Sequence, residues 1–216
     1  MGKTLDFNVE SREVIHLLRC DSYLKKLILK VGSLKVETDE DYYNNLVNTI
    51  IGQQLSLKAA DTIMRRIKNI CGTISPEKLL SVSEEELRAA GTSYAKIAYI
   101  KGLSQKILQN EIVLEKLKDL SDIEAVQMLT GIKGIGMWTA EMFLIFSLGR
   151  LDIFSFDDAG LQKAIKWLYK RENLDKTELK KVSDNWAPYR SIASLYLWEA
   201  LDQGLVLTPS IDHNHV

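Results

Sequence analysis

Two stretches of the sequence carry residue types and spacings that could do chemistry. In LDIFSFDDAGLQKAIKWLY an apolar segment runs into Asp157 and Asp158, and a helical pattern follows at once. An aspartate at a helix start ordinarily accepts hydrogen bonds from first-turn amides and suits the positive end of the helix dipole. Two adjacent carboxylates suggest a division of labour, one capping the helix and the other free to act. In TGIKGIGMWTAEMF, Gly134 and Gly136 flank Ile135, and Trp138 follows just inside the next helix. The glycines allow a sharp turn and a close approach to another surface. A helix that begins there points its first N–H groups outward, an arrangement that binds phosphate. Each stretch also has a plain structural reading: a helix cap for the aspartates and a simple turn for the glycines.

The elements that must hold these residues read as helices. SREVIHLLRCDSYLKKLILK, DEDYYNNLVNTIIGQQ, SLKAADTIMRRIKNI and SYAKIAYIKGLSQKIL all favour helix. Leu46 and Ile50, Val47 and Ile51, and then Ala59, Ile63 and Ile67 recur at four-residue spacing and give apolar faces. Ser75 before Pro76 reads as an N-cap with proline at the first helical position. Ser83 with Glu86 and Ser121 with Glu124 read as capping boxes, the first helix closing at Gly91. DIEAVQML and MWTAEMFLIFSLG become the two arms of a hairpin, with Trp138, Met142 and Phe146 on one stripe of the second arm. KVETDED and GRLDIFSF are the best strand candidates, and both are short. The expectation is an all-α chain of about ten short helices, with a fraying tail LTPSIDHNHV.

Composition narrows the classes. The chain has 216 residues, 46% hydrophobic and 26% charged, enough to bury a real core and stay in solution. No apolar run approaches the roughly 20 residues of a membrane-spanning helix, so no membrane partner is expected. MGKTLDFNVE lacks the apolar region of a signal peptide, and Asp6 argues against a myristoylation signal. Cys20 and Cys71 are the two cysteines, too few for a four-cysteine iron–sulfur cluster, and they fit a cytosolic protein with reduced thiols. The net charge of −1 is unlike a typical nucleic-acid binder. A polyanion would have to be held by backbone amides or a local basic face.

IKGIGMWTAEM resembles the helix-hairpin-helix of DNA-repair glycosylases, usually written LPGIGxxTA, with Lys133 in place of the proline. Such a hairpin grips DNA backbone through amides and so does not need a basic protein. A hairpin, a glycine-rich turn and an aspartate about twenty residues later are the signature of that glycosylase superfamily. FSFDD resembles the FxxDD of its DNA-3-methyladenine glycosylase II branch, and WAPYRS, from Trp186 to Ser191, resembles a W-x-P-[WY]-R-S run of the same branch. The resemblance covers residues 40 to 205 approximately.

The resemblance implies an all-α, two-lobed helix-hairpin-helix fold without the N-terminal β-domain of some relatives. One lobe would be residues 40–148, ending in the hairpin, and the other residues 1–39 plus 149–216, with the first forty residues helical. It implies that Asp158 is catalytic and Asp157 a cap or structural partner. Breaking an N-glycosidic bond builds positive charge on the sugar, which a fixed carboxylate stabilises. Cationic alkylated bases such as 3-methyladenine leave readily, so no strong general acid is needed. In bifunctional members a nucleophilic lysine sits two residues after the last hairpin glycine. Here Trp138 stands there and cannot form a Schiff base, so hydrolysis without strand cleavage is implied.

Trp138 would offer its ring to a flipped base, with Trp198 as a second aromatic wall and Met142 nearby, although both tryptophans could simply be core residues. Met142 and Ala159 stand where some relatives carry tyrosine, which implies a roomier pocket. Lys133, Gly134, Ile135, Gly136 and Thr139 would contact DNA. Backbone carbonyls of Thr130, Ile132 and Ile135 could hold a sodium or potassium ion, and no other cofactor is implied. NTIIGQQLSLKAADTI resembles the segment that fills the hole left by the flipped base, with Gln54 or Leu55 as the plug. The same residues also read as a tight turn with Gly52 as C-cap and Ser56 as N-cap. Arg190 reads as structural rather than phosphate-facing. The expected partner is double-stranded DNA with a damaged base, bound by a monomer. The compartment would be the cytoplasm, at the nucleoid in a bacterium, or the nucleus in a eukaryote. A mismatch thymine or uracil glycosylase and a non-enzymatic DNA-binding module are the alternatives.

Overall fold

A computed structural model describes residues 3–171 and 173–208, with Leu57 described by its backbone alone. The tail from Pro209 onward, expected to fray, lies outside the described residues, as does the Met1-Gly2 pair. Twelve α-helices and two antiparallel strands are present among the described residues. The chain divides into two compact units, one from Asp39 to Leu148, the other joining the residues up to Thr38 with those from Gly149. No described helix is long and apolar enough to cross a membrane.

The first unit begins with α3 (Tyr42–Gly52), whose Leu46, Val47, Ile50 and Ile51 are all fully buried, as their spacing predicts. It continues through α4 (Leu57–Cys71), α5 (Pro76–Ser81), α6 (Glu84–Ala89) and α7 (Tyr94–Leu108). In α4 only Ile67 of the expected stripe is fully buried, with Ala60 beside it. The expected caps are present: Ser75 accepts from the Lys78 N–H behind Pro76, and Ser83 with Glu86 forms a capping box. A 3-10 turn at Leu114–Asp119 leads into the hairpin arms, α8 (Asp122–Thr130) and α9 (Met137–Phe146). Ser121 and Glu124 form the second capping box, at the start of α8.

The second unit departs from the helical expectation for the first forty residues. β1 (Lys3–Phe7) and β2 (Leu34–Thr38) pair antiparallel, with Lys3 opposite Thr38 and Phe7 opposite Leu34. β2 lies within the candidate strand KVETDED extended by one leucine. Its Leu34 and Thr38 face inward with Val36 half-buried between them, the period-two pattern of a strand. The other candidate, GRLDIFSF, forms no ladder. Between the strands, the expected single helix is broken into α1 (Arg12–Cys20) and α2 (Ser22–Val31) by Asp21. Asp21 caps α2 through the N–H groups of Tyr23 and Leu24, and its other oxygen accepts from Tyr169 Oη and from Trp186 Nε1 at 2.9 Å.

The same unit holds α10 (Ala159–Tyr169), α11 (Lys176–Asp184) and α12 (Arg190–Asp202). α12 is the core element: Ile192, Ala193, Tyr196, Leu197 and Ala200 are fully buried. Tyr196 Oη lies 3.3 Å from the Phe7 carbonyl and 3.2 Å from that of Gly32, and so pins the ribbon and α2 to α12. Burial pushes this phenol up to about 12.

Candidate active site

The hairpin turn is built on apolar anchors. Ile132 and Ile135 are buried, and the Ile135 N–H donates to the Ile132 carbonyl at 3.0 Å. Between them Gly134 has φ +95°, and a Cβ there would sit 2.5 Å from Tyr99 Cγ of α7. Residue 134 must therefore be glycine on both conformational and steric grounds. Gly136 differs. It is the N-cap of α9 with φ −89° and ψ 175°, and a Cβ there would meet nothing within 4 Å. No side chain caps α9 at that position. The protein's own packing leaves room beside Gly136, at the amide-rich start of a helix.

Trp138 lies 45% exposed at the start of α9, Met142 is half-buried, and Phe146 is 38% exposed. The stripe read from their spacing is thus at the surface, which disposes of the core reading for Trp138. Lys133 is exposed at the turn, whereas Thr139 and Ile135 have buried side chains and can offer a ligand only backbone groups. Thr130 turns its hydroxyl back to the Val126 carbonyl at 2.8 Å.

The α3–α4 junction lies against this turn. α3 runs through Gly52, so the C-cap is Gln53 and not Gly52, while Ser56 caps α4 through the Ala59 N–H as expected. Gln54 is exposed with φ +59°, an unusual conformation for a residue with a side chain. Leu55 is 40% exposed. Gln53 donates its amide N–H to the Gly134 carbonyl at 2.8 Å. Lys96 of α7 donates to the carbonyls of Ile51 at 2.8 Å and Gln53 at 2.7 Å. Burial draws the Lys96 ammonium below the usual lysine range.

In the second unit, Asp158 is the N-cap of α10. Its Oδ1 accepts from the Leu161 N–H at 2.7 Å and from Trp198 Nε1–H at 3.3 Å. The side chain is buried, and Gly160 makes room for it: a Cβ on residue 160 would lie 3.1 Å from Asp158 Oδ1 and 3.1 Å from Leu201 Cδ1. The expected division of labour is corrected here. Asp158 does the capping itself, and Asp157 is an exposed partner of Lys176 at 2.5 Å. The physical reason is register: the residue immediately before the first helical position is the one whose oxygen reaches the first-turn amides.

The apolar segment before the aspartates is held without a β-ladder. Arg190 grips Asp152 with two bonds, Nε to Oδ1 at 2.7 Å and Nη2 to Oδ2 at 2.8 Å. Ser191 receives the Ile153 N–H on its hydroxyl at 2.9 Å and donates its own N–H to the Leu151 carbonyl at 3.0 Å. Phe154 packs edge-on against Phe156 and against Trp186. The WAPYRS run therefore docks the segment that delivers Asp158, and Arg190 is structural.

The profile of the family described as "HhH-GPD superfamily base excision DNA repair protein" matches residues 47–188. The chain belongs to that family. It is similar to DNA-3-methyladenine glycosylase 1 of Schizosaccharomyces pombe, 34% identical over 86% of this chain and 85% of that one. It is similar in structure to a DNA-3-methyladenine glycosidase of Bacillus halodurans, with a TM-score of 0.87 and 39% identity, covering 95% of this chain and 96% of the other. The Schizosaccharomyces pombe 3-methyladenine DNA glycosylase Mag1, solved in complex with abasic DNA, gives a TM-score of 0.78 at 33% identity over 89% of this chain and 97% of that one.

Within the HhH-GPD frame the residues that sequence reasoning missed are supports. Lys96, Gln53 and Asp152 have no local pattern, because each acts on a partner at least 38 residues away in the chain. The Asp152 support has a testable pH signature. Burial works against the Asp152 charge, but the Arg190 hydrogen bonds and charge outweigh it and hold the carboxyl below its usual range. A carboxyl lowered on folding adds stability above its unfolded pKa near 4, and that stability is lost as pH falls through the folded value. After solvent screening of this half-buried pair the contribution is roughly 1 kcal/mol. Asp152→Asn is therefore expected to lower Tm by about 2–4 °C at pH 7, with the gap to wild type closing below about pH 4. Thermal unfolding of both proteins across pH checks it; a gap that widens in acid contradicts the pairing.

Proposed function

We propose that the protein is a monofunctional DNA glycosylase of the DNA-3-methyladenine glycosylase II type, acting as a monomer on duplex DNA. It would excise alkylated bases such as 3-methyladenine by flipping them and hydrolysing the N-glycosidic bond. The observation that carries this is a buried aspartate held at one oxygen by a helix amide and an indole N–H. A neutral side chain such as asparagine would cap α10 about as well, so the fixed negative charge is the part of Asp158 that a DNA grip alone would not use. As the bond between C1′ and the base breaks, the electron pair leaves with the base and positive charge builds on the sugar. Asp158 stabilises that charge and orients the water that adds to C1′. The products are the free base and an abasic site.

Trp138 has an exposed ring suited to stacking on a cationic base, with Trp198 and Met142 as further pocket candidates. Gly134, Ile135, Gly136, Thr139 and Lys133 would hold the DNA backbone, and Gln54 or Leu55 would fill the gap in the duplex. Thr130, Ile132 and Ile135 lie at the C-terminal end of α8 and its turn, and their carbonyl oxygens would hold a hard monovalent cation, that of Ile132 through the lone pair not used by the Ile135 N–H. Such an ion would supply positive charge for a backbone phosphate.

The test is release of 3-methyladenine from methylated DNA. Release of thymine or uracil from mismatches instead points to the mismatch alternative, and binding without release of any base to a non-enzymatic module. A second experiment addresses the nucleophile. With Trp138 in the lysine position, borohydride treatment during turnover is expected to trap no covalent protein–DNA adduct and to leave strands uncut. A trapped adduct overturns the monofunctional reading.

A further inference from the structure

Gln54 sits at a helix junction in a backbone conformation that side chains rarely adopt, and it is exposed. Such geometry persists only where its surroundings enforce it. The enforcing contacts come from α7 and from the hairpin. Lys96 holds the carbonyls on either side of Gly52, those of Ile51 and Gln53, so the ammonium fixes the peptide that leads into Gln54. A lysine at the carbonyl end of a helix is also an ordinary capping device. Two further contacts go beyond capping. The Gln53 side chain leaves its own helix and donates to the Gly134 carbonyl, in the turn of the hairpin. Gly134 packs on the ring of Tyr99, which lies three residues after Lys96 and so on the same face of α7. One helix face thus presents an ammonium to the junction and an aromatic ring to the hairpin, and Gln53 closes the triangle between them.

We propose that Lys96, with Gln53, is a positioning residue for base flipping that fixes the Gln54–Leu55 plug at a set offset from the phosphate-gripping turn. The inference rests on the glycosylase reading and adds a support to it. A plug must enter the base stack at one place while the hairpin holds the backbone at another. A junction free to shift by a fraction of a hydrogen-bond length would bind DNA as well but fill the stack poorly. Lys96 touches neither DNA nor the reacting bond in this scheme. Its effect should appear in flipping and not in the grip.

The experiment compares wild type with Lys96→Met, which keeps the aliphatic stem, and Lys96→Arg, which keeps a donor. Single-turnover base release at saturating enzyme is measured on a duplex with one alkylated base. Fluorescence of 2-aminopurine beside that base reports unstacking, and binding of an undamaged duplex reports the grip. Loss of two charge-assisted bonds is expected to slow release and the fluorescence rise by about tenfold, with binding of undamaged duplex within about twofold. Lys96→Arg is expected to recover most of the loss. Gln53→Met, which cuts only the link to Gly134, should slow both by several-fold, and it carries the test if Lys96→Met does not fold. Unchanged rates, or equal loss in rate and in binding of undamaged duplex, overturn the proposal. A wild-type protein that releases no base overturns the glycosylase reading, and the fluorescence rise then decides the positioning role by itself.

Discussion

Asp158→Asn is expected to lower base release by on the order of a thousandfold while leaving Tm almost unchanged. The two halves of that expectation come from the same geometry. Asparagine caps a helix about as well as aspartate, so the bond from the Leu161 N–H can survive the change. Its amide oxygen can also receive the Trp198 N–H now 3.3 Å away. The two side chains are nearly the same size, which matters where Gly160 leaves only just enough room. What asparagine removes is the negative charge, and charge is the quantity that stabilises a developing cation in a water-poor site. Asp158→Ala is the informative companion. It should lose the same activity and, in addition, about 1 kcal/mol of stability from the missing cap. Thermal unfolding and single-turnover release on methylated DNA separate the two effects. Release that survives Asp158→Asn at the wild-type rate sinks the assigned role. A large fall in Tm for Asp158→Asn shows instead that the charge itself holds α10.

What was legible in the sequence was what acts over a few residues. Ser75, Ser83 and Ser121 were readable as caps because a cap and its target amide lie within one turn. The α3 face was readable because four-residue spacing places Leu46 and Ile50 on one side. The all-α class followed from the same signals. β2 was readable as part of the strand candidate KVETDED, but β1 and the pairing were not, because each strand depends on a partner across two helices. The break at Asp21 was hidden for a related reason. The flanking apolar pattern continues through it and masks the local cap on Tyr23 and Leu24, while the other partners of the carboxylate, Trp186 and Tyr169, lie far along the chain.

The candidate site divides the same way. Motif positions could be named from the sequence, but of the two readings for Asp157, cap or structural partner, only the second holds: Asp157 pairs with Lys176, and Asp158 carries the cap itself. Local composition cannot say which of two adjacent aspartates occupies the N-cap. The supports from Trp198, Arg190 and Lys96 are side-chain bonds across long stretches of chain, and no spacing rule encodes them.

The glycines of the hairpin give the second large expectation, because the structure separates two residues that the motif treats alike. Gly134→Ala is expected to lower Tm by roughly 10 °C. Alanine pays the cost of φ +95° and drives its methyl into Tyr99, together about 3 kcal/mol, and each kcal/mol moves a chain of this size by a few degrees. Gly136→Ala is expected to leave Tm within about 2 °C of wild type, since φ −89° suits any residue and the new methyl meets nothing. Yet Gly136 opens a helix that carries no side-chain cap, so a methyl there stands where a phosphate would approach the amides. Its binding to duplex DNA is therefore expected to weaken by about tenfold, roughly 1.4 kcal/mol. Calorimetry and a binding titration on both variants decide the matter. If Gly136→Ala binds DNA like wild type, the start of α9 is not the grip. If it unfolds as readily as Gly134→Ala, the space beside residue 136 is needed by the protein itself. The combination of a stable protein and a weakened grip is the one that assigns Gly134 to the fold and Gly136 to the ligand.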